Sequence, residues 1–360
     1  QQLLDSATKN GAWGISSGLE YTPGSFATTE EISEVASVLK GTNFPYTTHM
    51  RNEGDTLIEA VQEAIQIAKG AGIPLHISHL KVEGQRNWHK ADLLFETIAK
   101  AEQEGLRITF DRYPYVAYNT GLSNLFPIWA REGGTDKFLE RLADKKQLSK
   151  IEGYTRDKII MLGSWDSVLI SSIYSDEYKE LQGKRLPEIA QLWNCDPFEA
   201  AVRLISENRA RVGMVGFGMS EENTERILAH PNCVIASDGS ALAVTGPLSE
   251  GNPHPRSFGT FPRAIAHYVH KRKIVSLPEM IRKMTLKPAE IAGIKNRGKI
   301  SAGYFADLAI FWPGGIRDLA TFENPKQYCQ GIEHVFVNGL PVYQQGKFSE
   351  HLPGKILKSV

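Results

Sequence analysis

Short apolar segments that end in polar side chains alternate with amphipathic segments along this 360-residue chain. Residues 56–71 carry apolar side chains at 57, 58, 61, 64, 65 and 68, which is the spacing of one helical face, and residues 91–104 repeat the pattern. Strands that alternate with helices form parallel sheets, and a parallel α/β barrel places its chemistry at the carboxyl ends of the strands. The sequence therefore predicts an α/β fold with its site at these ends; the strand segments are 12–18, 45–50, 74–80, 107–113 and 233–240.

The strand–helix pattern is interrupted once and changes near the C-terminus. Residues 116–232 look richer in helix, with residues 186–211 helical and Pro197 at a helix start, which predicts an insertion on the catalytic face. Helices are expected at 263–271 and 278–294, whereas residues 298–312 and 332–344 have the pattern of antiparallel strands, with a tight turn at Asn338-Gly339. We expect a barrel domain over residues 1–295 and part of a small β domain over residues 296–360.

The composition argues against several classes of partner. Lys plus Arg and Asp plus Glu number 41 each, so the net charge of about zero gives no reason to expect nucleic acid or an anionic membrane as partner. No apolar run reaches the ~18 residues that span a bilayer. Three widely spaced cysteines do not form a disulfide framework, and a cytoplasmic location is the expectation. The chain opens with Gln rather than Met, so we expect part of the protein to precede it; no feature indicates an oligomeric state.

Two histidines end neighbouring predicted strands. His49 ends Thr-Thr-His and His79 ends His-Ile-Ser-His, and the thirty positions between them equal about one strand–loop–helix–loop unit. Either histidine alone is more often a hydrogen-bonded core residue, but two imidazoles at matching strand ends suit a zinc-type ion, which binds nitrogen, sulfur or oxygen donors in a tetrahedron. Because side chains alternate along a strand, Leu75 and Ile77 are expected on the same face as His79. His76 is expected on the other face, toward the helices, and we interpret it as structural.

Asp238 ends the last predicted strand, and Gly239 allows a sharp turn directly after it. An acid at the end of an apolar strand is costly unless it meets a cation or hydrogen-bond donors. It can act as a metal ligand, as a general base toward water, or as both, and the simpler alternative is a loop residue that caps the next helix. We expect the side chains of His49, His79 and Asp238 to converge on one point.

Six motifs, in this order, resemble the D-aminoacylase family of the amidohydrolase superfamily, and a seventh segment resembles the superfamily's return into its β-sandwich. The motifs span nearly the whole chain, which makes the set specific although its members alone are weak. They are GLEYTPG at 18–24, THMR at 48–51, ISHLK at 77–81, DRYPY at 111–115, SDG at 237–239 and HPRSFGTFPR at 254–263, with GKISAGYFADL at 298–308 as the return segment.

The resemblance implies a TIM-type (β/α)8 barrel, here without its N-terminal strands, and a small β-sandwich built from both chain ends. It implies metal-dependent hydrolysis of the amide bond of N-acyl-D-amino acids to a carboxylate and a D-amino acid. The implied partner is therefore a small-molecule N-acyl-D-amino acid, and the implied cofactor is one or two divalent ions of the zinc type. His49 and His79 would be the ligands on barrel strands five and six, and Asp238 the acid of strand eight, both ligand and catalytic base.

Four further positions match residues that hold the substrate carboxylate or polarise the amide in this family. By resemblance these substrate-binding residues are Tyr21, Lys81, Tyr113 and Arg256. The simpler alternative for Lys81 and Arg256 is a charged side chain on a solvated surface. The nearness of Lys81 to His79 in sequence argues against this alternative for Lys81, and for Arg256 the two interpretations are even.

The chain departs from the family pattern at two places. A His-x-His pair on barrel strand one and a Cys ligand soon after it are absent, so we expect the remaining metal ligands in a preceding segment. Cys195, Cys233 and Cys329 do not match that ligand, and we interpret them as packed residues. Asn119-Thr120 stands where the family usually has a pair of small hydroxyl residues after its Tyr-Pro-Tyr motif.

Two alternative functions remain open from the sequence. A cyclic amidase of the hydantoinase or dihydroorotase kind would need a carboxylated Lys on strand four, but residues 12–18 contain no Lys. A non-catalytic barrel fragment is the alternative from another class. A His-x-His segment upstream in the gene would distinguish the deacylase hypothesis from these two alternatives.

Overall fold

The computed structural model describes residues 1–359, which form twelve β-strands and thirteen α-helices. The strands are β1 (Ile15–Gly18), β2 (Tyr46–His49), β3 (Leu75–Ile77), β4 (Ile108–Arg112), β5 (Tyr118–Gly121), β6 (Val168–Ile173), β7 (Val212–Gly216), β8 (Cys233–Ile235), β9 (Leu308–Phe311), β10 (Ile332–Val337), β11 (Leu340–Gln344) and β12 (Lys347–Phe348). The helices are α1 (Gln2–Lys9), α2 (Thr29–Ala36), α3 (Leu57–Ala71), α4 (Ala91–Gln103), α5 (Ile128–Arg131), α6 (Gly134–Ala143), α7 (Lys145–Leu162), α8 (Leu186–Trp193), α9 (Pro197–Glu207), α10 (Glu221–Ala229), α11 (Arg256–Arg263), α12 (Leu277–Met284) and α13 (Leu286–Ala292).

Five parallel strands form the central sheet, in the order β1-β2-β3-β4-β8. All five lie within the segments that the sequence predicts as strands, although each is shorter than its segment. The helices between them pack on the sheet and bury their apolar faces, and α3 ends at Gly72, whose φ of 70° stops the helix in the left-handed region. This confirms the parallel α/β core; within residues 1–359 the sheet is open and has β1 and β8 at its edges.

The side-chain alternation predicted for β3 is wrong. Leu75 and Ile77 belong to the buried cluster that includes the apolar faces of α3 and α4, so these two residues face the helices. His76 lies on the opposite side, where its ring bonds Thr109 and Asp111. The strand ends at Ile77, and the period-two rule therefore does not extend to His79.

Residues 116–232 contain a sheet that the helical interpretation of this segment missed. Strands β5, β7 and β6 pair antiparallel in that order, apart from the central sheet. Five helices, α5 to α9, surround them and share one buried cluster with the sheet. Pro197 is the first residue of α9, as expected, and Asp196 before it caps the helix by accepting from the Phe198 amide.

The C-terminal part begins with helices and ends in an antiparallel sheet. Helix α11 continues as a π-helix over Ala264–Lys271, and the helix expected at 278–294 is divided into α12 and α13 at Thr285. Strands β12-β11-β10-β9 form the sheet, and Asn338 and Gly339 both have positive φ in the predicted turn between β10 and β11. Of the segment 298–312 only Leu308–Phe311 forms a strand. Over the described residues, none of the helices has the length and apolarity that a membrane crossing requires.

Candidate metal centre and active site

A cavity of about 200 Å³ opens at the carboxyl ends of the central strands. Side chains from β2, from the segments after β1, β3, β4 and β8, and from α11 line it, because the carboxyl ends of parallel strands share one edge of a sheet. The structure brings together in this cavity every residue that the sequence predicts for the site: Tyr21, His49, His79, Lys81, Tyr113, Asp238 and Arg256.

His49 and His79 face each other across the cavity floor. His49 Nδ1 lies 2.9 Å from His79 Nε2, and the ring centroids are 4.6 Å apart. His49 is the last residue of β2, whereas His79 lies two residues beyond β3 with a left-handed φ of 40°. The Asp111 carboxylate fixes this turn by accepting from the His79 amide at 2.8 Å.

A carboxylate stands behind each histidine. The outer nitrogen of His49, Nε2, lies 2.9 Å from Glu20 Oε2, and the outer nitrogen of His79, Nδ1, lies 3.0 Å from Glu53 Oε1. An imidazole that binds a metal typically donates its other N–H to a carboxylate, which orients the ring and fixes its tautomer. When both outer nitrogens donate in this way, the lone pairs of His49 Nδ1 and His79 Nε2 point at each other.

These residues fit a zinc-type ion. Two facing lone pairs repel unless a cation lies between them, and Glu20 and Glu53 place two negative charges around that point. Ligand atoms of His49, His79 and Glu53 lie within 4.8 Å of one another. Glu53 Oε1 already accepts from the ammonium of Lys81 at 2.6 Å, so the two imidazoles are the ligands that this chain offers most directly.

The surroundings of Glu20 and Glu53 lower the pKa of both side chains. Burial raises the pKa of Glu53, but the charges of Lys81 and the two histidines outweigh it and hold that pKa well below the usual value. Burial raises the pKa of Glu20 as well, but the bond with His49 and the charge of Lys158 lower it further than burial raises it. Both acids are therefore charged at neutral pH and favour a cation between the histidines.

Asp238 lies on the opposite wall of the cavity. The φ of Asp238 is 47°. The next residue must be glycine, because a Cβ on Gly239 would lie only 2.9 Å from the Ser257 Cα. The Asp238 Oδ2 lies 2.7 Å from Arg256 Nη1, and it is not among the atoms grouped within 4.8 Å around the histidines. The structure thus places Asp238 in the same cavity, beside Arg256, while a direct bond from Asp238 to a metal stays a prediction.

Arg256 and Tyr113 present buried polar atoms to the cavity. The Arg256 Nη1 is close to Asp238, but the angle is unsuitable for a hydrogen bond, and within the described residues this atom and the Tyr113 hydroxyl have no hydrogen-bond partner. The Arg256 guanidinium lies 4.7 Å from the centroid of the Tyr113 ring, which stacks beneath it. Buried donors without partners are costly, so both groups are suited to bind a polar ligand in the cavity.

Lys81 and Tyr21 are already engaged by neighbours. The Lys81 ammonium donates to Glu53 Oε1 at 2.6 Å and lies 2.8 Å from His79 Nδ1. Because His79 Nδ1 carries a hydrogen when it donates to Glu53, it does not accept from Lys81, and the ammonium keeps a free proton for a ligand. The Tyr21 hydroxyl lies 3.0 Å from the Thr120 Oγ1, and the Tyr21 ring packs 4.9 Å from the His49 ring. Thr120 belongs to the Asn119-Thr120 pair at which the chain departs from the family pattern, and here its hydroxyl orients Tyr21.

Sequence reasoning missed three glutamates of the site. Glu20, Glu53 and Glu83 line the cavity together with the insertion residues Tyr118, Asn119 and Asn124. Glu20 stands inside the GLEYTPG motif, which was a usable signal. Glu53 and Glu83 lie in loops with no periodic pattern, and their partners are 26 to 75 positions away in sequence.

Comparison with known proteins agrees with this geometry. The profile of the amidohydrolase family matches residues 190–343. D-aminoacylase of Alcaligenes xylosoxydans xylosoxydans is 33% identical over 359 residues, which is 99% of this chain and 63% of that protein. The crystal structure of N-acyl-D-glutamate deacylase from Bordetella bronchiseptica, complexed with zinc and a phosphonate mimic of the tetrahedral intermediate, matches with a TM-score of 0.80 at 30% identity and covers 99% of this chain and 65% of that one. A D-aminoacylase structure determined to study its binuclear metal centre matches with a TM-score of 0.78 at 32% identity, over 99% of this chain and 65% of that one.

The parallel α/β core and these matches show an amidohydrolase fold, and the facing histidines lie at the carboxyl edge of its central sheet. Along 99% of its length the chain is similar to N-acyl-D-amino-acid deacylases, or D-aminoacylases, of that superfamily. It spans 63% of the length of the curated deacylases that it matches.

Proposed function

We propose that the protein is a zinc-dependent deacylase that hydrolyses the amide bond of small N-acyl-D-amino acids to a carboxylate and a D-amino acid. The observation that carries this proposal is the pair of imidazole nitrogens that face each other at 2.9 Å, each backed by a carboxylate, in one cavity with Asp238 and Arg256. Relatives along the whole chain bear deacylase names, and one of them binds zinc in its crystal structure.

His49 Nδ1 and His79 Nε2 would hold the zinc ion in this chain, with Asp238 as a further proposed ligand. When bound, zinc supplies a Lewis acid for the amide carbonyl and makes water a nucleophile near neutral pH. Glu20 and Glu53 keep the two imidazole rings oriented by accepting from their outer N–H groups.

Asp238 is the proposed general base and acid. Its carboxylate accepts the proton of the attacking water and then gives this proton to the nitrogen of the leaving amine, which would otherwise depart as an unstable anion. The ion pair with Arg256 at 2.7 Å holds the carboxylate at the cavity wall, and its side chain remains accessible enough to exchange a proton with substrate.

The remaining predicted residues position the substrate. Arg256 and the free proton of Lys81 would bind the α-carboxylate, since a guanidinium can bind a carboxylate through two parallel hydrogen bonds. The unpartnered hydroxyl of Tyr113 and the hydroxyl of Tyr21 would donate to the oxygen of the amide as charge develops there.

Hydrolysis of linear and cyclic amides separates this proposal from its alternatives. The metal-free protein, in its natural length, and the zinc-loaded protein are incubated with N-acetyl-D-leucine, N-acetyl-D-glutamate and hydantoin, and the release of primary amine or the opening of the ring is followed. We expect amine release from the N-acetyl compounds in the zinc form alone. Ring opening of hydantoin without deacylation would identify a cyclic amidase, and a folded, zinc-loaded protein that is inert toward all three would be non-catalytic.

A further inference from the structure

Lys158 lies behind the metal-ligand histidines and belongs to the insertion. It stands on α7, its side chain is only 11% exposed, and its ammonium lies 3.4 Å from Glu83 Oε2 and 3.9 Å from Glu20 Oε1. Lys158 is not among the residues that line the catalytic cavity, so it has no direct path to a substrate there.

Helix α7 is fixed against the loop that carries Glu83. Gly84 has a φ of 87°, and a Cβ there would lie 2.6 Å from the Met161 Cγ, so the helix packs directly on the loop backbone. Asp157 on α7 also pairs with Arg86 at 2.8 Å. Lys158 lies three residues before Met161, on the same helical face, and the docking of α7 therefore aims its ammonium at the two carboxylates.

Two similar series of contacts converge on the facing imidazoles. On one side Lys81 binds Glu53, and Glu53 binds the outer nitrogen of His79. On the other side Lys158 lies beside Glu20, and Glu20 binds the outer nitrogen of His49. The two series differ in origin, because Lys81 follows a strand of the central sheet whereas Lys158 comes from the insertion.

We propose that Lys158 is a positioning residue of the metal site, which holds Glu20 against His49 and thereby makes the docked insertion part of that site. Glu20 uses one carboxylate oxygen for His49 Nε2, and its other oxygen is the one nearest Lys158. Without the ammonium, the carboxylates of Glu20 and Glu83 would repel each other in a buried place, and Glu20 would turn away from the His49 ring. The inference rests on the metal site of the proposed function, but not on the identity of the substrate.

Zinc affinity tests this inference without any activity assay. The dissociation constant for zinc is measured by competition with a chelator in the natural-length protein and in Lys158→Met, which keeps the apolar stem and removes the charge. Loss of an outer-shell partner typically weakens metal binding ~10–100-fold, and we expect a change of that size for Lys158→Met and a smaller one for Lys158→Arg. Lys150→Met on the exposed side of the same helix is the matched control and should leave the dissociation constant unchanged.

A double-mutant cycle separates positioning from general damage to the fold. If Lys158 acts through Glu20, Lys158→Met should cause no further loss of zinc affinity in a Glu20→Gln background. The double variant also removes the repulsion between the Glu20 and Glu83 carboxylates, so it can be measured if Lys158→Met alone fails to fold. The same loss in both backgrounds, or a Lys158→Met affinity within threefold of the parent or tighter, would overturn the inference. A protein whose zinc affinity depends on Lys158 and Glu20 as expected, but which cleaves no N-acyl-D-amino acid, would contradict the proposed function alone.

Discussion

His79 and Asp238 share a backbone feature that residues with a side chain rarely adopt. Their φ angles of 40° and 47° lie in the left-handed region, which costs about 1–3 kcal/mol for such residues and persists where surrounding contacts enforce it. For His79 the enforcing contact is the bond from its amide to Asp111, and for Asp238 it is the close approach of Gly239 to Ser257. Both turns direct the side chain into the cavity at the point where a strand has ended.

Removal of one facing imidazole should abolish metal binding. His79→Ala deletes the Nε2 lone pair, and we expect loss of most bound zinc and of nearly all deacylase activity, measured by metal analysis and amine release. His89→Ala changes an exposed histidine ten positions away and serves as control. Full zinc occupancy in His79→Ala would refute the assignment of this histidine.

Loss of the proton acceptor should slow the reaction while the protein stays folded. Asp238→Asn keeps the shape of the side chain, and we expect the turnover number to fall by ~10²–10⁴-fold, the usual contribution of a general acid–base residue. Circular dichroism and zinc content measured alongside show whether the fold and the metal are retained. Near-normal turnover would reduce Asp238 to a residue that caps the turn.

Glu53 should contribute strongly to stability, because its carboxylate neutralises the buried ammonium of Lys81. The side chains of Lys81 and Glu53 are 3% and 8% exposed, and the removal of one partner of such a pair typically costs ~3–5 kcal/mol. Glu53→Gln should therefore lower the free energy of unfolding of the metal-free protein by about that amount, as measured by urea denaturation. A second change, Lys81→Met, should restore part of the loss; a Glu53→Gln protein as stable as the parent would contradict the account.

The ion pair of Glu53 and Lys81 makes the free energy of unfolding depend on pH. The pKa of Glu53 in the folded protein lies well below the ordinary value of 4.5 for a glutamate, so its contribution to stability is fully present above about that pH and is lost as the pH falls through the folded pKa. The slope of unfolding free energy against pH below 4.5 should be shallower in Glu53→Gln than in the parent.

The residues of the site divide by the kind of signal that each one leaves in the sequence. His49, His79 and Asp238 end apolar segments, and Tyr21, Lys81, Tyr113 and Arg256 stand in motifs, so sequence reasoning collected all seven residues that the cavity joins. Glu20, Glu53, Glu83 and Lys158 act through partners on other elements. Glu20 had a signal in the GLEYTPG motif, but the roles of Glu53, Glu83 and Lys158 depend on tertiary contacts that no local pattern encodes.

At the scale of elements, the long periodic segments were predicted well and the short ones were not. Helices α3 and α4 have several turns of apolar spacing, and the structure has them within two residues of the predicted bounds. Strands β6 and β7 are short apolar runs, VLISSI and VGMVG, which periodicity cannot distinguish from buried helix. The insertion was therefore predicted only as a segment richer in helix, although its sheet supplies Tyr118 and Asn119 to the cavity.

The contact between Tyr118 and Gly216 in that sheet can be tested by the addition of one methyl group at Gly216. Tyr118 on β5 pairs with Gly216 on β7, and a Cβ on Gly216 would lie 2.3 Å from the Tyr118 Cζ. Gly216→Ala should displace the phenol from the cavity wall and lower the free energy of unfolding by ~1–3 kcal/mol, measured by thermal denaturation.

The matched control for Gly216→Ala should change the free energy of unfolding in the opposite direction. Gly153 lies within α7, where an added Cβ would meet no atom within 4 Å, so Gly153→Ala should stabilise the protein by about 0.5–1 kcal/mol. Equal effects at the two glycines would mean that Tyr118 does not depend on Gly216 for its place.

At the scale of the whole molecule, the charge is balanced, and one cavity at the edge of the central sheet is lined by several charged side chains. The net charge is about zero, yet the cavity gathers four carboxylates, two cationic side chains and two histidines within about 200 Å³. Such a site suits a small charged molecule and a metal ion rather than a polymer. The α-carboxylate and the scissile carbonyl of a substrate would be fixed at two separate points, by Arg256 and by the histidine centre, so the side chain of the substrate can project in only one direction.

The ratio of specificity constants for the two enantiomers of one substrate tests the central claim most directly. Inversion at the α-carbon directs the side chain into the cavity wall or withdraws the carboxylate from its cations, and loss of a charged hydrogen bond costs ~1.5–3 kcal/mol, or about ten- to a hundredfold in rate. With kcat/KM measured for N-acetyl-D- and N-acetyl-L-leucine on the zinc-loaded protein in its natural length, the account predicts at least a tenfold preference (~1.4 kcal/mol) for the D form. Equal values, or a preference for the L form, would contradict it.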